Sequence, residues 1–272
     1  MLKQRVLTAI PLAALVIWGI LTQPENIIFY SLLVVILISG WEWARLSGVK
    51  NAGLRALYAV VITAGAFFSQ QFISSYPQWI NSLLLLVVTG WLVAIYHMFS
   101  KGPQPANQSL SVVKLFVGVV ALITPVVALM LVRSESAQWL FYCLSIVWIA
   151  DVGAYFSGKR YGKNKLAPKL SPGKTREGMY GAVIATAAYA FMAGLFFDLK
   201  IIEILMLLII STLATIISVA GDLFVSLLKR EKDLKDTGNI LPGHGGILDR
   251  IDSVLTSAPL LALLLNLVIF NA

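Results

Sequence analysis

Nine continuous apolar stretches follow one another along this chain, near residues 6–22, 27–44, 54–73, 79–98, 113–132, 138–157, 178–197, 201–228 and 253–271. A bilayer core of about 30 Å is crossed by roughly 20 apolar residues in helical form, so most of these runs are long enough to span it. They are continuous rather than alternating, and a helix satisfies its own backbone hydrogen bonds in lipid, so helices are expected rather than a membrane β-barrel. The expected fold class is therefore all-α: a polytopic integral membrane protein whose apolar runs predict about nine transmembrane helices. Composition agrees, since 58% of the 272 residues are hydrophobic and only 12% charged. The mean hydropathy of +0.84 would leave a water-exposed globule insoluble.

The first run follows Lys3 and Arg5 as a secretory signal would. Its apolar stretch is long, however, and Gln23-Pro24-Glu25-Asn26 offers no small-residue cleavage pattern, so a retained helix is expected. The net charge of +8 would suit nucleic acid, but the placement of the basic residues explains it better through the positive-inside rule. With the N-terminus cytoplasmic, the inner connections carry Arg45, Lys50 and Arg55, then Lys101 and Lys114, then Lys159 to Arg176, then Lys229 to Arg250. Of the 21 Lys and Arg residues only Arg133 and Lys200 then fall outside, and no nucleic-acid partner is expected. In a bacterium this topology belongs to the cytoplasmic membrane, with the C-terminus external. Cys143 is the only cysteine and lies in an apolar run, which excludes an intramolecular disulfide and predicts a packed core thiol. Trp41, Trp43, Trp79 and Tyr96, near helix ends, read as interfacial belt residues.

The chain reads as a single membrane domain, 1–272, in which residues 1–150 are mainly scaffold helices. From Asp151 onward the character changes, because two cytoplasmic connections become long, charged and rich in Gly, Pro and Lys. Residues 151–272 are expected to form the catalytic half. The strongest constellation begins at Gly221-Asp222 and continues through Ser226, Lys229, Arg230, Lys232, Asp233, Lys235 and Asp236. It runs on into Leu241-Pro242-Gly243-His244-Gly245-Gly246 and closes at Asp249-Arg250-Ile251-Asp252. Helical spacing would put Asp222, Ser226, Arg230 and Asp233 on one face, while Asp249 and Asp252 form an i, i+3 pair opening the next helix. The intervening Pro and Gly residues fold the chain back and would bring the two carboxylate groups together. Carboxylates beside Lys and Arg suit a nucleoside triphosphate, because Mg²⁺ is commonly shared between one or two Asp residues and phosphate oxygens. Basic side chains then neutralise the remaining phosphate charge, and Gly243, Gly245 and Gly246 allow backbone amides to approach it. Asp222 closely follows an apolar run, where an ionisable group is costly and functional by default.

The segment Ser226-Leu-Leu-Lys-Arg-Glu-Lys-Asp-Leu-Lys-Asp, with Pro242-Gly-His-Gly-Gly-Ile-Leu-Asp-Arg-Ile-Asp252, resembles the signature of the phosphatidate cytidylyltransferases, or CDP-diacylglycerol synthases. A second stretch, Asp151-Val-Gly-Ala-Tyr-Phe-Ser-Gly-Lys-Arg-Tyr-Gly-Lys-Asn-Lys-Leu followed by Ser171-Pro-Gly-Lys-Thr-Arg-Glu-Gly178, resembles that family's other polar segment. The family usually reads Ser-Pro-Lys-Lys-Thr-Trp-Glu-Gly there, so Lys174, Thr175 and Glu177 are carried over, whereas Gly173 and Arg176 depart from the pattern.

The resemblance implies transfer of CMP from CTP to phosphatidate, giving CDP-diacylglycerol and pyrophosphate. It implies Asp222 and Asp249 as ligands of Mg²⁺, with K⁺ as a second cation, and a homodimer among membrane lipids. Lys229, Arg230 and Arg250 are the candidates for phosphate contacts alongside the two aspartates. Ser226, Lys232, Asp233, His244, Gly245, Gly246, Asp252, Asp151, Lys174, Thr175 and Glu177 are the candidates for substrate binding. Three rivals remain weaker. The aspartate-rich motif of the CDP-alcohol phosphatidyltransferases is absent from the sequence. A relative acting on a polyprenol or ether lipid would share the nucleotide site. A transporter would need a midplane ionisable pathway that the first five runs lack.

Overall fold

Helix boundaries fall where small polar side chains, prolines and glycines interrupt the apolar runs. Asn51, Ser111, Ser136 and Thr175 each accept a hydrogen bond from the backbone N–H three residues on, capping the helices that follow them. The computed structural model describes residues 2–102, 109–240 and 245–270, with side chains from residue 10 onward. In chain order it contains α1 (Leu2–Thr22), α2 (Glu25–Leu46), α3 (Ala52–Ser75), α4 (Ile80–Lys101), α5 (Val112–Glu135) and α6 (Ala137–Tyr161). A ribbon of β1 (Lys165–Ala167) and β2 (Ser171–Thr175) precedes α7 (Arg176–Phe196), α8 (Ile201–Arg230) and α9 (Leu248–Leu265), the last extended by a π-helical turn, Asn266–Phe270. Eight helices among the described residues are long and apolar enough to cross a membrane, and α1 contributes a shorter apolar segment, Ile10–Thr22. The all-α expectation is met. The antiparallel β1–β2 ribbon is an addition confined to the connection between α6 and α7.

The centre of the bundle is α9. It packs against α8, α5 and α4, and nearly every residue from Leu255 to Leu265 is buried. Close packing of helices in lipid favours small residues, because no hydrophobic force draws apolar faces together there. At Gly221 of α8 an added Cβ would meet the Asp252 carbonyl at 2.8 Å. Thr256 Oγ1 of α9 donates to the Ile217 carbonyl of α8 at 2.9 Å, so backbone contact and hydrogen bonding coincide at this crossing. The α6–α7 pair uses the same device, with Gly153 beside Gly181 and Ala182, and Gly158 beside Gly178. Outward positions such as Leu86, Phe116, Ile184 and Ile209 remain exposed, as residues facing hydrocarbon should.

At 30 residues, α8 is about 45 Å long and so outreaches a hydrocarbon layer of about 30 Å. Measured from Ile201, the layer ends roughly 20 residues along, which places Asp222 at its boundary. The ends of α2, α6 and α8 and the starts of α5, α7 and α9 meet around this level, bringing both polar segments to one end of the bundle.

One sequence reading changes here. Trp43 is fully buried and its Nε1 donates to the Lys114 carbonyl at 2.8 Å, so it is a core residue and not an interfacial one. Trp41, Trp79 and Tyr96 are exposed, with Arg55 lying over the Trp41 ring at 5.9 Å. Cys143 is a buried free thiol.

Candidate active site

Two lysine–carboxylate pairs organise the polar end. The ribbon presents Lys174, whose Nζ lies 2.6 Å from Asp222 Oδ2. About two turns further along α8 than Asp222, Lys229 donates through Nζ to Asp249 Oδ1 at 2.7 Å. The other oxygens of these carboxylates are engaged by short polar groups. Asp222 Oδ1 accepts from Ser226 Oγ at 3.3 Å. Asp249 Oδ2 accepts from Thr237 N at 2.8 Å, Gly246 N at 2.9 Å and Thr237 Oγ1 at 3.0 Å.

The pairs form one electrostatic cluster. Asp252, buried one turn after Asp249, lies within hydrogen-bonding reach of Asp222. The Lys229 charge acts on Asp222 and Asp252 as well as on its own partner, and Asp151 of α6 interacts with Asp222, Lys174 and Arg250. Four carboxyl groups thus face Lys174, Lys229 and Arg250, an arrangement that offers a hard cation oxygen ligands.

Each metal candidate therefore has one oxygen clamped by the protein and one turned toward an ammonium. Lys174 and Lys229 stand at the oxygens that a hard cation would take, and Mg²⁺ is usually held by one or two carboxylates together with substrate phosphates. The residues present fit such an ion. Among the described residues no group of three or more His, Cys, Asp or Glu side chains is arranged to hold a metal by itself.

Around this cluster the remaining candidates divide by what they touch. Thr175 caps α7 by accepting from Gly178 N at 3.0 Å. Glu177 accepts from Lys163 N at 3.1 Å and from Asn164 Nδ2 at 2.7 Å, tying down the loop before β1. Of the carried-over triplet only Lys174 reaches a carboxylate of the cluster; its neighbours shape the ribbon that presents it. Arg230 is exposed and directs its guanidinium at the carbonyls of Leu170 and Leu234, 3.5 and 3.4 Å away, joining the end of α8 to the ribbon. Arg250 is exposed at the rim.

The shared face expected for Asp222, Ser226, Arg230 and Asp233 holds for the first two, which are bonded to each other, but Asp233 does not belong to it. The helix ends at Arg230, and the backbone at Asp233 turns through φ 55°, leaving the side chain exposed in the connection. Lys232 is buried against the chain entering α5, where its Nζ donates to the Ser109 carbonyl at 2.8 Å. There burial and the neighbouring Lys114 hold its ammonium below the usual lysine range. His244, with Pro242 and Gly243, lies outside the described residues. Gly245 adopts φ 82°, and a Cβ there would meet Asp249 Oδ2 at 2.8 Å, so glycine is required by both conformation and space.

Sequence reasoning missed Glu42. This carboxylate comes from α2, is 2% exposed, and bonds to Thr237 and to the first backbone N–H groups of α9. The available signal was an acidic residue between two tryptophans, one turn before the end of an apolar helix. Lys114 of α5 is a second such residue, pairing with Glu231 at 2.5 Å and anchoring the connection after α8.

A family model described as the cytidylyltransferase family matches residues 3–268, nearly the whole chain. The chain belongs to the cytidylyltransferase family. Within it, a phosphatidate cytidylyltransferase of Pseudomonas aeruginosa is 34% identical over 275 residues, covering 97% of each chain. Enzymes of the same name from Haemophilus influenzae and Bacillus subtilis are 33% and 32% identical, with at least 95% of either chain covered. The match takes in α2, with Glu42, as well as the polar segments from which the cytidylyltransferase resemblance was first drawn.

Proposed function

We propose that the chain is a phosphatidate cytidylyltransferase, transferring CMP from CTP to phosphatidate to form CDP-diacylglycerol and pyrophosphate. The observation carrying this reading is the meeting of Asp222, Asp249 and Asp252 with Lys174 and Lys229 at one end of a bundle of apolar helices. A lipid phosphate and a water-soluble triphosphate can both arrive there.

An oxygen of the lipid phosphate attacks the α-phosphorus of CTP. The bond from that phosphorus to the oxygen bridging to the β-phosphate breaks, and pyrophosphate departs with the bridging oxygen. Two anions must approach each other, so charge neutralisation and alignment carry the catalysis and no protein nucleophile is needed. Asp222 and Asp249 would hold Mg²⁺, with Asp252 beside them, and K⁺ is proposed as a second cation. A bound Mg²⁺ neutralises phosphate charge and stabilises the leaving group. Lys174 and Lys229, released from their carboxylates, turn to phosphate oxygens, and Arg250 at the rim is placed to meet the outer phosphates. Thr175 and Glu177 keep the ribbon in register so that Lys174 returns to the same position each cycle.

The basic connections support a site on the cytoplasmic face, reached laterally by the acyl chains of phosphatidate. Residues 151–272 supply the reacting groups and 1–150 chiefly support them; a homodimer follows from the family resemblance. The test is formation of CDP-diacylglycerol and pyrophosphate from labelled CTP in purified enzyme supplied with Mg²⁺ and a panel of lipid acceptors. Phosphatidate should be the acceptor, and Asp222→Asn should lower turnover by at least about 100-fold, the scale of losing one preorganised electrostatic contact. Unchanged turnover in folded D222N would overturn the assignment.

A further inference from the structure

The N-terminus of α9 carries Asp249 into the site, yet its capping position is Ile247, which has no side chain able to accept a hydrogen bond. The first N–H groups of a helix lack intrahelical partners and need acceptors from elsewhere. Here the acceptor comes from α2, some 200 residues earlier in the chain. Glu42 Oε1 accepts from Ile247 N at 3.2 Å, and Oε2 accepts from Leu248 N at 2.8 Å. A carboxylate at a helix N-terminus is favoured by the unsatisfied N–H groups and by the helix dipole. That compensation matters, because Glu42 is buried and forms no ion pair among the described residues.

The same carboxylate reaches the other support of Asp249. Glu42 Oε2 lies 2.8 Å from Thr237 Oγ1, and that hydroxyl lies 3.0 Å from Asp249 Oδ2. A threonine hydroxyl has one proton, so it donates to only one of these carboxylates at a time and links their positions. Asp249 Oδ2 is also held by Thr237 N and Gly246 N, both on the segment that Glu42 pins. Glycine is required on each side, because a Cβ at Gly238 or at Gly246 would collide with the Glu42 carboxylate. One helical turn on, Arg45 adds a contact to the Thr237 carbonyl at 3.4 Å. Among the described residues, every group that clamps Asp249 Oδ2 is thus bonded to Glu42 or adjoins a residue that is.

We infer that Glu42 is a positioning residue: from the N-terminal helices it fixes the start of α9 and Thr237, and so sets the direction of Asp249 Oδ1, the oxygen now paired with Lys229, toward the place where cation and phosphates would bind. The inference rests on the reading of Asp249 given above. Outer-shell partners of metal-binding carboxylates are typically worth 10–100-fold in metal affinity or activity.

The test compares purified Glu42→Gln, Thr237→Val, Thr237→Ser and Asp249→Asn enzymes for kcat, KM for phosphatidate, half-saturating Mg²⁺ and thermal midpoint. Gln keeps the shape of Glu42 but turns an amide N–H₂ toward N–H donors. For E42Q, turnover per folded molecule should fall about 10–100-fold and half-saturating Mg²⁺ should rise by a similar factor. KM for phosphatidate should stay within about twofold, since no lipid contact changes. T237V should show a smaller shift of the same kind, and T237S, which restores the hydroxyl, should return to wild type. A loss of activity in E42Q that merely tracks its folded fraction, at unchanged Mg²⁺ dependence, overturns the inference. Should E42Q not fold, wild-type turnover and Mg²⁺ dependence in T237V overturn it instead. If D249N is inactive while E42Q and T237V behave as wild type, the positioning role alone fails; if D249N turns over normally, the reading of the site fails with it.

Discussion

Removing either member of the Lys229–Asp249 pair should not be equivalent, and the direction of the difference follows from the charges around it. The pair is separated by 2.7 Å, with side chains 11% and 4% exposed. At an effective dielectric near 20, Coulomb attraction at this distance is about 6 kcal/mol, most of which is offset by desolvation of the two charges. Breaking such a buried pair typically costs about 3–5 kcal/mol because one charge is left uncompensated. In Lys229→Met the four clustered carboxylates keep only Lys174 and Arg250, and Lys229 is lost to Asp222 and Asp252 as well as to Asp249. The cost should lie near 5 kcal/mol, the upper end of that range. In Asp249→Asn, by contrast, Lys229 still faces Asp222 and Asp252, so the cost should lie near 3 kcal/mol. With a scale of about 2–4 °C per kcal/mol for chains of a few hundred residues, K229M should melt about 10–20 °C below wild type and D249N about 6–12 °C below. The assay is thermal unfolding in detergent with and without Mg²⁺. The ion should recover part of the loss in K229M, where its carboxylate ligands remain, and little of it in D249N. Greater destabilisation by D249N than by K229M, or no Mg²⁺ recovery in K229M, would refute the picture of a carboxyl cluster held together by Lys229.

Replacing Gly221 by Ala should force α8 from α9, since the new methyl would meet the Asp252 carbonyl at 2.8 Å; a cost of about 1–3 kcal/mol and reduced turnover are expected, checked by thermal midpoint and activity. Glu177→Ala should release the backbone N–H groups of Lys163 and Asn164 and loosen the ribbon that carries Lys174. It should raise KM for CTP several-fold while shifting the thermal midpoint by only a few degrees, because the ribbon lies outside the helical core.

How much of the site was legible in advance depended on how local its determinants are. Asp222 and Ser226 are one helical turn apart, so their contact follows from spacing alone. Lys229 and Asp249 meet because a hairpin returns the chain, which the Pro and Gly residues between α8 and α9 announced. Asp233 failed the same spacing argument because helical periodicity continues on paper past Arg230, whereas the real helix stops there and turns left-handed. Glu42 was passed over and Trp43 misread for a different reason: a residue near a helix end reads as interfacial unless something is known to pack over it. Here the cover consists of the start of α5 for Trp43 and the connection from α8 to α9 for Glu42.

The sequence by itself determined the solvent, the helical class of the membrane segments and the chemistry on offer, because apolar run length, backbone satisfaction in lipid and residue type act within a short stretch of chain. It also carried the family resemblance, since the two polar segments are contiguous. Only the tertiary structure decided which of many carboxylates and lysines pair, that Thr175 and Glu177 hold a ribbon in place, and that a glutamate from α2 caps α9. Those outcomes depend on helix rotation and on contacts between residues far apart in sequence, where one turn more or less moves a side chain from the site to the lipid.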